Sequence, residues 1–386
     1  MSDFGHSEKF CLRAVAPPMS LFVMILRVLI KTQIYMMIAT KFSDRIKTFK
    51  PLLVICGCTG TGKSDLGIEL AKYFNGEVIN ADSMQIYKGL DIATNKVTEE
   101  EKQGVPHHLM SFCDPCESNY NVHQYRDAVL PLIQNIWRNG KLPIIVGGTG
   151  YYMEAVIYYN NLISTNFEKS GTLINLLKIK CPQISKKSTV HFHFGDRLRF
   201  KNTLLVTLDA DKKVLDERVN KRVDVMLKRG LIEELESFYA QYREHFNAFG
   251  IFQCIGLKEF IPYLQLSEAE RNSESGQKLL NQCGELVKLH TRQYARNQRK
   301  WFYNRIHLRA QYREVPNFIA LNTSANFWEN VIPFATELTG CFLSGHDIKD
   351  VSPSNPSVSA IIAGGKQNLR SSRIYSINGK EILRNL

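Results

Sequence analysis

The stretch "LLVICGCTGTGKSDLGIEL", residues 52–70, decides the fold because three recognisable patterns follow one another in it. Its apolar start predicts a buried strand, and the glycine-rich turn from Gly57 to Ser64 fits G-x-x-x-x-G-K-[ST] and opens a helical pattern. In this arrangement backbone N–H groups and the helix N-terminus converge on phosphate oxygens. Lys63 adds a positive charge there, and the Ser64 hydroxyl can ligate Mg²⁺. The turn therefore predicts a diphosphate or triphosphate site, without specifying ATP.

Further apolar runs alternate with helical patterns along the chain. The predicted strands after the first are "GEVINADSM" (residues 76–84), "KLPIIV" (141–146) and "NTLLVTLDAD" (202–211). Beyond Asp211 the pattern becomes helical and basic. Alternating strands and helices imply a parallel sheet with right-handed crossovers. The predicted fold class is α/β, a P-loop NTPase-like parallel sheet flanked by helices, followed by a basic helical region.

Charge and cysteine content narrow the class of partner and compartment. The 386 residues include 49 Lys and Arg against 37 Asp and Glu, which gives a formal net charge of +12. Such a charge favours a polyanionic partner, nucleic acid ahead of a membrane surface, although a solvated basic surface with a basic leader explains it equally well. The scattered cysteines are typical of free thiols in a reducing compartment. Cys113 and Cys116 form a C-x-x-C pair, for which a loop turning at Pro115 is favoured over structural zinc.

Residues 1–50 differ from the rest of the chain. They are apolar and poor in acidic residues, and Arg27 and Lys31 interrupt the apolar run. The uncharged runs are too short for a membrane span of roughly 20 residues. A basic amphipathic leader of this kind resembles a mitochondrial presequence, and the alternative is a non-functional extension. The expected location is the mitochondrion, the cytoplasm or both, with no attachment to a membrane.

Asp82 follows the second predicted strand, where open α/β sheets bind their ligands. On its own it could be a Mg²⁺-coordinating carboxylate of a nucleotidase or kinase, or a helix N-cap. The residues around it decide between these interpretations. It lies within "NADSMQIYKGLDIATNK", residues 80–96, and "GGTGYY" follows at residues 147–152.

These motifs, together with several others in the same order and spacing, resemble the tRNA dimethylallyltransferases (tRNA isopentenyltransferases), and the eukaryotic branch is the closer likeness. The other motifs are "VPHHLM", "RVDVMLKRGLIEEL", "GIFQCIGLKEF" and "TRQYARNQRKWF". The resemblance covers roughly Pro51 to Trp301, except for the stretch after Tyr159. It implies prenyl transfer from dimethylallyl diphosphate to the exocyclic amine of the adenosine just 3′ of certain anticodons. The implied partners are the tRNA anticodon stem-loop and this donor, with Mg²⁺ as cofactor and a monomer as the expected state.

The resemblance also implies roles for individual residues. The diphosphate site comprises Thr59, Gly60, Thr61, Gly62, Lys63 and Ser64, with Mg²⁺ on Ser64. The implied catalytic residues are Asp82 as general base, with Lys63 and Arg222 on the diphosphate. The implied tRNA-binding residues are Asp82, Ser83, Met84, Gln85 and Thr149. For His107 and His108 a packing or capping role is expected.

Residues 291–305 form a predicted basic helix with interleaved aromatic residues. Arg292, Arg296 and Trp301 are its candidate tRNA contacts, because cations with aromatics suit phosphates and unstacked bases. The alternative is a solvated charged face.

The sequence departs from the family pattern in two regions. Residues 160–199 are shorter than the helical insertion expected there, and no C-terminal C2H2 zinc finger is present. The predicted organisation is therefore a leader at 1–50, a core at 51–159, a shortened insertion at 160–199 and a core completion with a tRNA-binding region at 200–330. A low-order tail is expected at 331–386. Two alternatives stay open: a catalytically impaired tRNA-binding isoform and a small-molecule P-loop kinase.

Overall fold

The computed structural model describes residues 33, 40–117, 120–159, 197–246, 249–307, 313–351, 360–363 and 373–375. Most of the predicted leader and of the shortened insertion thus lies outside the described residues.

One mixed sheet forms the centre of the described part of the chain. Its strands are β1 (Leu52–Gly57), β2 (Gly76–Asn80), β3 (His107–His108), β4 (Leu142–Val146), β5 (Thr203–Asp209), β6 (Asn317–Asn322), β7 (Ala360–Ala363) and β8 (Arg373–Tyr375). They lie in the order β3-β2-β4-β1-β5-β6-β7-β8. The pairs from β3 to β6 are parallel, and β7 and β8 add antiparallel pairs at the edge. The parallel α/β sheet predicted from the sequence is confirmed.

Helices cover both the sheet and its carboxyl edge. The α-helices are α1 (residues 40–49), α2 (Lys63–Phe74), α3 (Glu99–Lys102), α4 (Val122–Arg138), α5 (Gly150–Ile157), α6 (Lys212–Lys228), α7 (Leu231–Tyr242), α8 (Leu257–Leu264), α9 (Glu268–Arg271), α10 (Glu274–Phe302) and α11 (Ile332–Ser344). Shorter 3₁₀ or π turns lie at Arg243–His245, Gly250–Gln253, Tyr303–His307, Phe327–Val331 and Ile348–Asp350. None of the helices in the described part of the chain is long and apolar enough to cross a membrane.

The sheet is buried on both faces where it carries the site. Every residue of β1, β2 and β4 is buried, as expected for central parallel strands covered by helices. These three strands are neighbours, so their carboxyl ends open onto one edge. That edge carries the phosphate turn after β1, Asp82 after β2 and the glycine turn after β4. The topology therefore brings together three motifs that lie far apart in the sequence.

Helix α1 belongs to the core, although the sequence places it in the leader. Ile46 is fully buried, and the ring of Phe42 packs edge-on against Phe74 of α2 with 5.7 Å between centroids. The predicted leader boundary at residue 50 is therefore wrong, because the apolar face of α1 packs against the folded domain.

The predicted low-order tail also contains a folded helix. In α11, Phe334, Leu338 and Phe342 recur every four residues and are buried. This spacing is that of an amphipathic helix, and it was hidden by the Ser- and Gly-rich composition that follows it. The prediction of low order is wrong for Ile332–Ser344.

Candidate active site

The phosphate turn links β1 to α2 and holds its own polar groups inward. Lys63 Nζ donates to the Cys58 carbonyl at 2.8 Å, and the Thr61 hydroxyl donates to the same oxygen at 2.8 Å. Gly62 has φ +84°, and a Cβ there would lie 2.7 Å from the ring of Phe327, so only glycine fits this position. Desolvation lowers the pKa of Lys63, because burial disfavours the charged ammonium group. An anion bound beside it would stabilise that charge.

Asp82 begins a turn directly after β2. Its Oδ1 accepts the Met84 N–H at 3.0 Å, and its carbonyl accepts the Gln85 N–H at 3.2 Å. Desolvation in the cavity raises the pKa of Asp82, while the Met84 N–H and the positive charges of Lys63 and Arg222 oppose that rise. Among the residues that the structure describes, no cation forms a direct ion pair with this carboxylate, a setting that suits a base. Because residues 83–86 form a turn, Asp82 does not cap an α-helix.

Arg222 reaches the phosphate turn from the opposite side, on α6. Its Nη2 donates to the Thr59 hydroxyl at 2.8 Å, while its buried Nε has no hydrogen-bond partner in the described part of the chain. One turn earlier, Arg218 donates from Nη2 to the Thr323 carbonyl at 2.6 Å. Desolvation lowers the pKa of Arg222, with Asp82 opposing. An arginine that is partly dehydrated and has an unused donor is suited to bind an anion.

The turn after β4 supports the residues beside Asp82. The Ser83 N–H donates to the Thr149 hydroxyl at 2.9 Å, and that hydroxyl donates to Ser83 Oγ at 3.2 Å. Gln85 Nε2 donates to the carbonyls of Thr94 and Asn95 at 3.0 and 3.2 Å. Thr149 therefore holds Ser83 in place from the side away from the cavity described below.

A cavity of about 670 Å³ joins these groups. The predicted site residues that line it are Thr59, Gly60, Gly62, Lys63, Ser64, Asp82, Ser83, Met84, Gln85 and Arg222. The cavity is large enough for a small ligand with several polar contacts. The phosphate turn and Asp82 therefore share one cavity, which the spacing in the sequence alone does not establish.

Helix α10 presents a different face to the cavity from the one predicted. Val287, Thr291 and Tyr294 line the cavity, and they follow one another at helical spacing. Gln298, on the same face, is buried behind the phosphate turn. The helical spacing of these residues was the signal in the sequence for a cavity-facing side of α10. The prediction followed the basic residues instead, and these lie on the other faces of the helix.

The predicted tRNA contacts on α10 lie outside this cavity. Arg292 is hydrogen-bonded to Asn220 of α6, and Trp301 packs against Gly150 and the ring of Tyr151. Two neighbouring cations of the same segment form internal pairs, Arg299 with Asp209 and Arg305 with Glu154. Arg296 and Lys300 are exposed. The solvated face weighed as the alternative thus fits Arg296 and Lys300, while the other cations named here are paired within the protein, and a role in binding tRNA stays a prediction.

The histidines and the C-x-x-C pair have structural surroundings. His108 Nε2 lies 2.7 Å from Glu77 Oε2, and His107 Nδ1 lies 2.8 Å from the Val105 carbonyl. Cys113 is buried, whereas Cys116 is exposed in a turn whose N–H donates to Asp114 Oδ1 at 2.9 Å. These contacts agree with packing histidines and with a loop at Pro115.

The residues at the phosphate turn fit a Mg²⁺ ion. Ser64 lines the same cavity as Lys63 and offers a hard oxygen donor, and Mg²⁺ in nucleotide sites usually takes one or two protein ligands with phosphate oxygens and water. Within the described ranges, no group of three or more His, Cys, Asp or Glu side chains is placed to hold a metal alone.

Comparison with known proteins agrees with this geometry. The family model described as IPP transferase matches residues 85–178 and 173–305. A curated relative named tRNA dimethylallyltransferase, from Homo sapiens, is 35% identical over 354 residues, covering 77% of this chain and 75% of that protein. The relative of the same name from Schizosaccharomyces pombe is 34% identical, covering 77% of this chain and 80% of its own.

Two solved structures are also similar. A eukaryotic dimethylallyltransferase acting on tRNA superposes with a TM-score of 0.64 at 31% identity, covering 78% of this chain and 81% of that one. The full-length tRNA isopentenylpyrophosphate transferase from Bacillus halodurans superposes with a TM-score of 0.57 at 30% identity, covering 76% and 97%. The phosphate turn, the carboxylate facing it and these matches together place the chain in the IPP transferase family.

Proposed function

We propose that this chain transfers a dimethylallyl group from dimethylallyl diphosphate to the exocyclic amine of the adenosine just 3′ of the anticodon in tRNA. The observation that carries the proposal is the single cavity in which the phosphate turn and Asp82 meet. Membership of the IPP transferase family and the names of the relatives support the same chemistry.

The phosphate turn and Arg222 act on the leaving diphosphate. An adenine amine is a weak nucleophile, so cleavage of the carbon–oxygen bond depends on stabilising the negative charge that develops on the departing oxygen. Lys63 and Arg222 approach that position from two sides of the cavity, and the free Nε of Arg222 is a further donor. When bound, Mg²⁺ held at Ser64 supplies additional charge neutralisation on the same oxygens.

Asp82 accepts the proton that the amine loses. Its Oδ1 is fixed by the Met84 N–H, so the carboxylate needs little reorganisation before it acts. The target base has to leave the anticodon stack to reach a carboxylate inside a cavity, as enzymes that modify bases require. Ser83, Met84 and Gln85, which line the cavity beside Asp82, are the residues that contact the extruded nucleotide.

The decisive experiment incubates the purified chain with labelled dimethylallyl diphosphate, Mg²⁺ and an unmodified anticodon stem-loop bearing the target adenosine. Transfer of label to the RNA is expected, and Lys63→Ala should abolish it. If the RNA stays unlabelled while an active relative labels it in parallel, the proposal fails. Binding of tRNA without transfer would favour the impaired isoform, and transfer of phosphate from ATP to a nucleoside would favour the kinase.

A further inference from the structure

Gln298 of α10 lies behind the phosphate turn and the turn after β4, and this residue is 6% exposed. A buried carboxamide has to satisfy both its oxygen and its nitrogen, because leaving either without a partner is costly. One partner, Tyr294, lies on the same helix. The partners outside the helix therefore identify what this residue holds together.

The two ends of the carboxamide bind two different loops. Gln298 Oε1 accepts the Thr59 N–H of the phosphate turn at 2.9 Å, and Nε2 donates to the Gly148 carbonyl of the turn after β4 at 3.0 Å. A backbone N–H only donates and a carbonyl only accepts, so these partners fix which way the amide faces. The side chain bridges the carboxyl ends of β1 and β4.

The turn after β4 is shaped around this contact. A Cβ on Gly148 would lie 2.3 Å from Gln298 Nε2, so any larger residue would displace the carboxamide. The same Cβ position is 3.8 Å from Asp82 Oδ2, which places the bridged turn next to the proposed base. One turn further along α10, Trp301 packs as closely against Gly150.

At its oxygen end, Gln298 contacts a residue on the diphosphate side of the cavity. Thr59, whose N–H is bound by Gln298, also accepts Arg222 Nη2 on its hydroxyl at 2.8 Å. Because its N–H is already engaged by Gln298, Thr59 contributes its side chain rather than its amide to the anion side of the cavity. The position of Thr59, and with it that of Arg222, thus depends on Gln298.

We infer that Gln298 is a positioning residue that sets the spacing between the diphosphate side of the cavity and the base Asp82. The inference rests on the proposed function for its catalytic meaning. It assigns to α10 a task inside the site that is distinct from contact with tRNA.

The test is the pH profile of Gln298→Glu. The ionised carboxylate of this variant accepts the Thr59 N–H but opposes the Gly148 carbonyl with a second acceptor, whereas the protonated acid can donate to it. We expect transfer by the variant to fall about 10- to 100-fold at pH 8.5, with the ratio of variant to wild type recovering several-fold as the pH falls to 6. Asp82, Lys63 and Arg222 titrate in both proteins, and Tyr294, which is hydrogen-bonded to Gln298, has a raised pKa and stays protonated between pH 6 and 8.5. The affinity readout below checks whether the change in the ratio follows the Thr59 contact rather than the charge on these groups.

The matched control is Gln293→Glu, which introduces the same charge on an exposed position of the same helix and should keep the wild-type profile. Gln298→Leu, which keeps the approximate size but loses both hydrogen bonds, should be impaired at every pH. A ratio that is flat with pH, or a recovery shared by Gln293→Glu, overturns the inference.

Affinity for Mg²⁺-pyrophosphate provides a second readout that does not need prenyl transfer. Measured by calorimetry between pH 6 and 8.5, the affinity of Gln298→Glu relative to Gln293→Glu should fall as the pH rises, because Thr59 moves. If the wild-type chain binds pyrophosphate but transfers no label, the proposed function fails while this comparison still tests Gln298. Equal affinities of the two variants at every pH would refute the positioning role.

Discussion

Asp82 is subject to opposing influences on its charge. Desolvation favours the protonated acid, and the Met84 N–H with the cations Lys63 and Arg222 favours the carboxylate. Since the net effect is a raised pKa, the folded chain holds this proton up to a higher pH than the unfolded chain does. Ionisation of Asp82 therefore lowers the free energy of unfolding as pH rises through the interval above 3.8, the ordinary value. Function at neutral pH carries a stability cost at this residue.

Replacing Asp82 by Asn should separate activity from stability. Asn keeps an oxygen for the Met84 N–H but accepts no proton, so label transfer should fall by about 10²- to 10⁴-fold. The melting temperature at pH 7.5 should stay the same or rise, because a buried charge is removed. Single-turnover transfer and thermal unfolding measure the two effects, and tRNA affinity should be retained. A melting temperature that drops along with activity would assign Asp82 a structural role instead.

At the scale of single residues, the sequence identified those site residues that lie within short, continuous motifs. The phosphate turn and Asp82 each lie within a short motif, so their types and spacing carried the prediction, and the structure places both in one cavity. The sequence did not identify Gln298, because its partner Thr59 lies more than a hundred residues away. It did not identify Tyr294 either, because that residue meets the other site residues only across the cavity. The spacing of residues within α10 gives no sign that Gln298 accepts the Thr59 N–H. That contact exists only once α10 packs behind the phosphate turn.

At the scale of elements, α10 has faces with different tasks. The face with Thr291 and Gln298 serves the site, Arg299 pairs with Asp209 at 2.6 Å, and Arg296 and Lys300 are exposed. Charge alone did not separate these faces, because a paired arginine and an exposed one look alike in the sequence. The helical periodicity separates them once the fold shows which face packs against the site.

Alanine substitutions on α10 should have two distinct outcomes. Arg296→Ala with Lys300→Ala removes exposed cations, so the slope of log affinity for tRNA against log salt should become shallower by roughly 1.5, with stability unchanged. Arg299→Ala leaves the mostly buried carboxylate of Asp209 without its cation and should lower the melting temperature. Fluorescence anisotropy at several salt concentrations, together with thermal unfolding, measures both. A lost salt slope in Arg299→Ala alone would reverse this assignment.

Helix α1 defines where a removable leader has to end. Besides the buried Ile46, Arg45 Nε donates to the Leu343 carbonyl at 3.2 Å, and Phe49 packs against Phe342 with 5.6 Å between ring centroids. These contacts join α1 to α11, so the leader boundary at residue 50 and the low order predicted for Ile332–Ser344 failed for the same reason. Each helix has an apolar face whose partner is the other end of the chain.

We propose that a mitochondrial leader in this chain ends before residue 40. Deleting residues 1–39 should leave the melting temperature unchanged, whereas deleting residues 1–50 should lower stability by about 3–5 kcal/mol, because the pocket for Phe42 and Ile46 is emptied. Denaturant unfolding compares the two. Residues 1–39 fused to a fluorescent reporter should direct it to mitochondria, and a wholly cytosolic signal would remove the leader hypothesis. Equal stability of both truncations would contradict the packing role of α1.

At the scale of the whole molecule, the cavity is assembled from distant parts of the chain. Its walls come from the ends of β1, β2 and β4, from α6, and from the segment between α7 and α8 together with α10. Apolar runs predicted β1, β2, β4 and β5, because burial in a parallel sheet depends on local composition. The sequence analysis did not predict β3 or the strands β6 to β8. The cavity could not be predicted in detail, since it depends on how elements more than 200 residues apart pack together.

A ligand that bridges such walls should stabilise the whole fold. Mg²⁺-pyrophosphate at 100 times its dissociation constant should add about 2.7 kcal/mol to the free energy of unfolding, seen as a rise in the melting temperature. Lys63→Ala should lose that shift. Its ligand-free melting temperature should equal or exceed that of the wild type, because desolvation disfavours the Lys63 charge in the folded chain. Differential scanning calorimetry with and without ligand tests both halves. A shift that persists in Lys63→Ala would mean that pyrophosphate binds outside the phosphate turn, and the proposed route for the leaving diphosphate would then be wrong.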